Sequence, residues 1–166
     1  LVAATNPCPC GYYGDEHKAC RCTPTKVANY LQRLSGPLLD RIDLQVAVQR
    51  PSPEVLLMPK QGLDTQTAKR WVAQAQARQL ARSGLLNGDL PWAELEACTK
   101  LKSVDDKLLK NAISRLHLSP RGIHKVLRVA RTIADLDHTH TIHKDHLLEA
   151  LSYRRLDVLS MEVEQA

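Results

Sequence analysis

No stretch of this 166-residue chain approaches the roughly 20 consecutive apolar residues that a membrane-spanning helix needs. The opening LVAA is too short for a secretory signal and lacks its basic flank and small-residue cleavage site. There is no G-x-x-x-x-G-K-[ST] loop to cradle a triphosphate, and no apolar strand ending in Asp-Glu to hold magnesium and position water. Taken alone, the chain is therefore not expected to hydrolyse ATP. Cysteines are few and unevenly placed: four of the five lie between positions 8 and 22, whereas a secreted disulfide framework spreads its pairs through the chain. That crowding suits a metal site in a reducing compartment, and the expected location is the cytoplasm. Residue 1 is Leu rather than Met, so the start reads as a cut or a processing site.

With 43% hydrophobic and 25% charged residues, the composition is that of a soluble globular protein, long enough for one ordinary domain or two small ones. A net charge of +5 and a pI near 9.0 tilt the choice of partner toward polyanions, meaning nucleic acid or nucleotide phosphates.

Residues 1 to 5 read as a buried strand ended by Asn6-Pro7, because proline cannot continue a ladder. The cysteine segment 8 to 22 follows as a loop excursion. Val27, Tyr30, Leu31 and Leu34 recur at helical spacing before the stop Ser35-Gly36-Pro37 and a short turn through Leu38 and Leu39. The alternation in IDLQVAV, residues 42 to 48, predicts a strand. The proline-rich stretch RPSPEVLLMPKQGLD, from residue 50 to 64, reads as a connection and places a domain boundary there.

Everything after that boundary reads as helix. Asp64 or Thr65 caps a helix to Arg82 that Gly84 ends; Pro91 opens a short helix through Ala97; Ser103 caps one from 103 to 117. Ser119-Pro120 then opens a helix to about Asp137 with Ile123, Leu127, Ala130 and Ala134 inside. A last helix from about His143 to Leu151 buries Leu147, Leu148 and Leu151, and beyond Tyr153 little pattern is left.

Cys8, Cys10, Cys20 and Cys22 can converge on one tetrahedral zinc if the loop between the two C-x-C pairs folds back. Four thiolates would close the coordination shell, which makes such a site structural. The alternatives are four reduced, unliganded cysteines, or His17 in place of one ligand; Cys98 reads as core. Arg121 falls in the first turn of a helix, where the macrodipole disfavours a cation by roughly 0.3 to 1 kcal/mol but where a phosphate is well received. Arg41, between Asp40 and Asp43, is either an ordinary surface ion pair or an arginine presented on a rigid corner to another molecule's phosphate. Arg70, Arg78 and Arg82 on one helix and Lys125, Arg128 and Arg131 on another form either a stripe that could follow a phosphate backbone or a solvated face. His138, His140, His143 and His146 read as cap and surface residues.

The strings LVAATNPCPCG, YLQRLSGPLLDRIDL and LSPRGIHKVLRVARTIADLD together resemble the magnesium-chelatase-like AAA+ ATPases, closest to their ComM/YifB branch, over about residues 1 to 153. That resemblance implies a mostly α chain made of the C-terminal edge of an AAA+ α/β core (1 to 50, with the cysteine insertion at 8 to 22), a linker (51 to 64), a helical lid (65 to 152) and a tail (153 to 166). It implies that Asn6 is the sensor 1 residue orienting the attacking water, that Arg41 is an arginine finger reaching into a neighbouring subunit's ATP site, and that Arg121 is the sensor 2 arginine, all three therefore contacting ATP. The phosphate-binding loop and the magnesium-binding acid would lie upstream. Full-length relatives are expected to form hexameric rings that use ATP and Mg2+ to move on DNA, as branch-migration helicases in natural transformation. A chelatase-type motor subunit and a zinc-stabilised interaction module without a nucleotide role are the competing assignments.

Overall fold

A computed structural model describes residues 1–33, 36–57, 62–101 and 103–154. The expectations for Leu34, Ser35, part of the linker and the tail beyond Arg154 fall outside these residues, as do the side chains of Ser103 and Val104. Eight helical segments and no strand occur among the described residues. They divide into two compact units, Leu1–Leu57 with the segment from Arg154, and Met58–Tyr153.

In the first unit, α1 (Pro24–Leu31) starts where Thr23 accepts a hydrogen bond from the Lys26 amide and Pro24 occupies the first turn, a position that needs no N–H. Two short pieces follow, α2 (Gly36–Leu39) and α3 (Pro53–Leu57). The strands expected at 1 to 5 and 42 to 48 do not form: Leu1, Val2, Leu44, Val46 and Val48 are exposed, while the polar Gln45 is buried. A strand is stable only with a partner for its backbone groups and a cover for its apolar face, and no described residue supplies either. Among the described residues of this unit the buried apolar side chains are Cys8, Val27 and Leu39, a thin core for its length.

The second unit is a helical bundle whose boundaries follow local chemistry. Its first helix, α4 (Thr65–Ser83), begins with the Asp64 carboxylate accepting from the amides of Gln66 and Thr67 and ends at Gly84, whose φ of 71° is the left-handed C-cap conformation. Next come α5 (Trp92–Cys98), α6 (Ser103–Leu116), α7 (Pro120–Leu136) and α8 (Lys144–Ser152). The Ser119 hydroxyl caps α7 by accepting from the Gly122 amide at 3.1 Å.

Helix α7 is central. Its stripe of Val126, Leu127, Ala130, Ile133 and Ala134 is buried together with Leu109, Leu118, Ile142, Leu147 and Ala150. Helices α4, α5 and α8 pack on it, and α6 packs on α8. Leu148, expected inside, is exposed, because α8 turns Leu147 and Ala150 to the core instead.

Candidate metal centre and exposed arginines

The loop after Pro7 folds back on itself. Gly11, with φ of 81°, closes a turn in which its amide bonds the Cys8 carbonyl at 3.0 Å, and a second turn bonds the Asp15 amide to the Tyr12 carbonyl at 3.2 Å. Beyond it the Asp15 carboxylate accepts from the amides of His17 and Lys18 at 2.7 and 2.9 Å, which lowers its pKa.

This path brings all four sulfurs within 4.8 Å of one another. Cys8 lies 3.4 Å from Cys10 and 3.7 Å from Cys20, and Cys10 lies 3.5 Å from Cys20. A disulfide needs about 2.05 Å, and all four thiols are free. Four sulfurs bound tetrahedrally at about 2.3 Å from a zinc ion would sit about 3.8 Å apart, close to the separations found. His17 is not part of the group, which removes the mixed-ligand alternative; among the described residues no histidine cluster is placed to hold a metal.

The electrostatics fit the same chemistry. Amides of Arg21 and Tyr12 facing the Cys10 sulfur favour its thiolate and hold its pKa at about 6. The Cys22 amide acts likewise on Cys20, but burial and the sulfurs of Cys10, Cys8 and Cys22 outweigh it and push Cys20 up to about 12. Burial raises Cys22 as well. One thiolate is thus easily formed and the next ones resist, a conflict that a divalent cation among the sulfurs would remove.

Asn6 lies beside this loop: its carboxamide packs 3.8 Å from where a Cβ on Gly11 would stand. Asn6 is exposed, and the preceding Thr5 hydroxyl is 3.4 Å from that of Tyr30.

Arg41 occupies a tight corner at the end of α2. Its own amide bonds the Leu38 carbonyl at 2.9 Å and the Ile42 amide bonds that of Leu39 at 3.0 Å. Two buried side chains hold the corner from outside that turn. Gln45 donates to the Leu39 carbonyl at 3.4 Å, and Arg154 donates to the Ile42 carbonyl at 2.9 Å and to the Asp40 carboxylate at 3.3 Å. Arg41 itself is exposed.

Arg121 is exposed in the first turn of α7, in the second unit, next to the buried Gly122. One turn on, His124 stacks on Trp92 of α5 with ring centres 3.6 Å apart and planes 13° from parallel.

Four of the five arginines considered as a basic stripe behave otherwise, while the fifth, Arg70, is exposed. Arg82 and Arg131 close on the buried Asp135 carboxylate, Arg128 donates to the Leu90 carbonyl at 3.0 Å, and Arg78 reaches His138 and the Asp135 carbonyl. They stitch the bundle together rather than lining a surface track. Of the histidines, His143 takes the N-cap position of α8, but His146 is buried, accepting from the His143 amide at 3.0 Å and facing Asp137 at 3.2 Å.

Residues 62–154 match the family model described as "Magnesium chelatase, subunit ChlI C-terminal", and residues 1–56 match that described as "Magnesium chelatase, subunit ChlI". The chain belongs to the magnesium chelatase family. Within it, similarity runs to the ComM and YifB proteins. The chain is 42% identical to YifB of Escherichia coli K12 over 99% of its own length and 32% of that protein's. It is 41% identical to the competence protein ComM of Haemophilus influenzae over 94% of its length and 30% of that protein's. A Mycobacterium tuberculosis relative, Rv2897c, is 33% identical over 93% of this chain and 31% of its own. The chain thus spans about a third of the length of these relatives.

Sequence reasoning picked out the cysteines and the two exposed arginines but missed Arg154, Gln45 and Asp135. Asp135 had a usable signal, an acid four residues after Arg131 on the apolar face of a helix. Arg154 had none, since its partners lie 112 and 114 residues away.

Proposed function

We propose that this chain is the C-terminal portion of a ComM-like AAA+ ATPase that works on DNA as a hexameric ring in the cytoplasm, supplying the sensor 1 residue, the arginine finger, the sensor 2 residue and the lid. The observation that carries the proposal is the corner at Arg41, where an exposed arginine stands on a backbone turn fastened by two i→i+3 hydrogen bonds and two buried side chains. A rigidly mounted arginine is what stabilises spreading negative charge on a transferring phosphoryl group, an effect worth roughly a thousandfold or more in turnover. ATP and Mg2+ would be held chiefly by motifs this sequence does not contain. Of the residues present, Asn6 would orient the attacking water, Arg41 would reach a neighbouring subunit's nucleotide, and Arg121 would meet phosphate oxygens at the positive end of α7. The relative named a competence protein supports the DNA-directed branch of this proposal.

The four cysteines are proposed to hold one structural zinc. The sulfur separations match a tetrahedral shell, and no protein ligand position would stay open for chemistry. In a unit with so thin a core, such a staple is physically useful.

The test uses the full-length gene product. ATP turnover should rise on addition of branched DNA and fall on the order of a thousandfold in Arg41→Ala. Turnover that ignores DNA but depends on Arg41 would favour a chelatase-type motor, the activity suggested by the matching family models. Turnover indifferent to both Arg41→Ala and Arg121→Ala would leave only an interaction module.

A further inference from the structure

We propose that Arg154 is a positioning residue for Arg41: it fixes the corner on both sides of that residue, so that the Arg41 guanidinium is presented in one direction. The proposal rests on the role assigned to Arg41 above.

Arg154 is among the most deeply buried side chains of the protein, with 1% of its side chain exposed. A guanidinium withdrawn from water that far is costly unless its donors are met by strong acceptors. Two of those acceptors are the Ile42 carbonyl at 2.9 Å and the Asp40 carboxylate at 3.3 Å. Asp40 and Ile42 are the residues immediately before and after Arg41. One planar fork therefore ties down both neighbours, and both are half-buried while Arg41 between them remains exposed. A hydrogen bond to a main-chain carbonyl on one flank and a charged pair on the other restrict rotation of the intervening peptides, which a single contact would not do.

Among the described residues, apolar packing at the corner is thin. Around the corner the apolar anchor is Leu39, and the side chains that follow, Leu44, Val46 and Val48, are exposed. The polar clamp of Arg154, with help from Gln45, orients the corner.

The experiment compares Arg154→Ala, Arg41→Ala and the double variant in the full-length protein, with Asp40→Asn as a milder cut at the same clamp should Arg154→Ala fail to fold. Turnover should fall about tenfold to a hundredfold in Arg154→Ala, as a misplaced catalytic group costs, with KM for ATP little changed. The double variant should be no slower than Arg41→Ala alone, since the clamp acts only through Arg41. Independently of turnover, amide exchange of Arg41 and Ile42 should quicken in Arg154→Ala and in Asp40→Asn. Additive losses in the double variant, a loss confined to KM, or unchanged exchange at these amides would overturn the proposal. Full turnover in Arg41→Ala would instead overturn the arginine-finger assignment, and the exchange measurement would still decide whether Arg154 orders the corner.

Discussion

Arg82 and Asp135, 53 residues apart, meet as a fork on a carboxylate: Nη1 donates to Oδ1 at 2.6 Å and Nη2 to Oδ2 at 3.0 Å. The same carboxylate accepts from Arg131 at 3.0 Å and from the Asn87 side-chain Nδ2 at 2.8 Å, so one buried acid joins α4, the turn after it and α7. Burial by itself would raise the Asp135 pKa, but the bonds from Arg82 and Asn87 and the charges of Arg131 and Arg82 outweigh it and lower it.

Replacing Asp135 by Asn should therefore destabilise the bundle by about 3 to 5 kcal/mol at neutral pH, because Arg131 is left buried without a counter-charge. The lowered pKa also fixes the sign of the pH dependence. The contribution of Asp135 is complete above the unfolded carboxylate value of about 3.9 and is lost as pH falls through the folded value. Thermal unfolding between pH 7 and 3 should show the wild-type chain losing stability toward acid more steeply than Asp135→Asn. Parallel curves would mean that the carboxylate does not anchor these arginines.

The cysteine centre makes a compositional prediction. After dialysis the chain should retain about one zinc ion, and Cys8→Ser combined with Cys20→Ser should abolish it. Chelation of the wild-type protein should lower its unfolding temperature, while the double-serine variant should be insensitive to chelator. A metal-free wild-type protein with the same unfolding temperature would show that the four thiols stand together without a ligand.

What the sequence revealed depended on how local each signal was. The boundaries of α4 and α7 were legible because Asp64, Gly84, Ser119 and Pro120 act within one turn of themselves. The C-x-C pairs were legible for the same reason, each bringing two thiols to one place while flexible turns close the loop between them. The strand expected at 42 to 48 failed because alternation describes a face, not the neighbour that must cover it. Arg82 was misjudged as a surface residue because nothing in its own helix says that Asp135 lies opposite it, whereas Arg131 had Asp135 one turn on in the same helix, a local signal that was missed. Arg154 lay wholly beyond local reasoning, since the corner it holds is more than a hundred residues earlier.

Arg121 should show opposite effects on stability and activity. Its position in the first turn of α7 opposes the macrodipole, so Arg121→Ala should leave the isolated chain as stable as wild type or more stable by about 0.3 to 1 kcal/mol. In the full-length protein the same substitution should lower ATP turnover at least tenfold, and Arg121→Lys should recover only part of it, because an ammonium lacks the planar fork that meets two phosphate oxygens. Denaturant unfolding of the chain and steady-state turnover of the whole protein measure the two sides. A destabilising Arg121→Ala would point to a packing role, and unchanged turnover would remove Arg121 from the nucleotide site.

Two glycines test the backbone argument with opposite signs. Gly84 has φ of 71° and open space where a Cβ would stand, so Gly84→Ala meets no clash and its cost is that of the left-handed conformation alone, about 1 to 2 kcal/mol. Gly88 also has open space around it but is not among the residues with positive φ, so an alanine there keeps an allowed conformation and restricts the unfolded chain. Gly88→Ala should therefore stabilise the bundle by about 0.4 to 1 kcal/mol. Urea midpoints of the two variants, taken at constant slope, should move to opposite sides of wild type. Shifts in the same direction would mean that neighbouring contacts, rather than φ, decide what these positions tolerate.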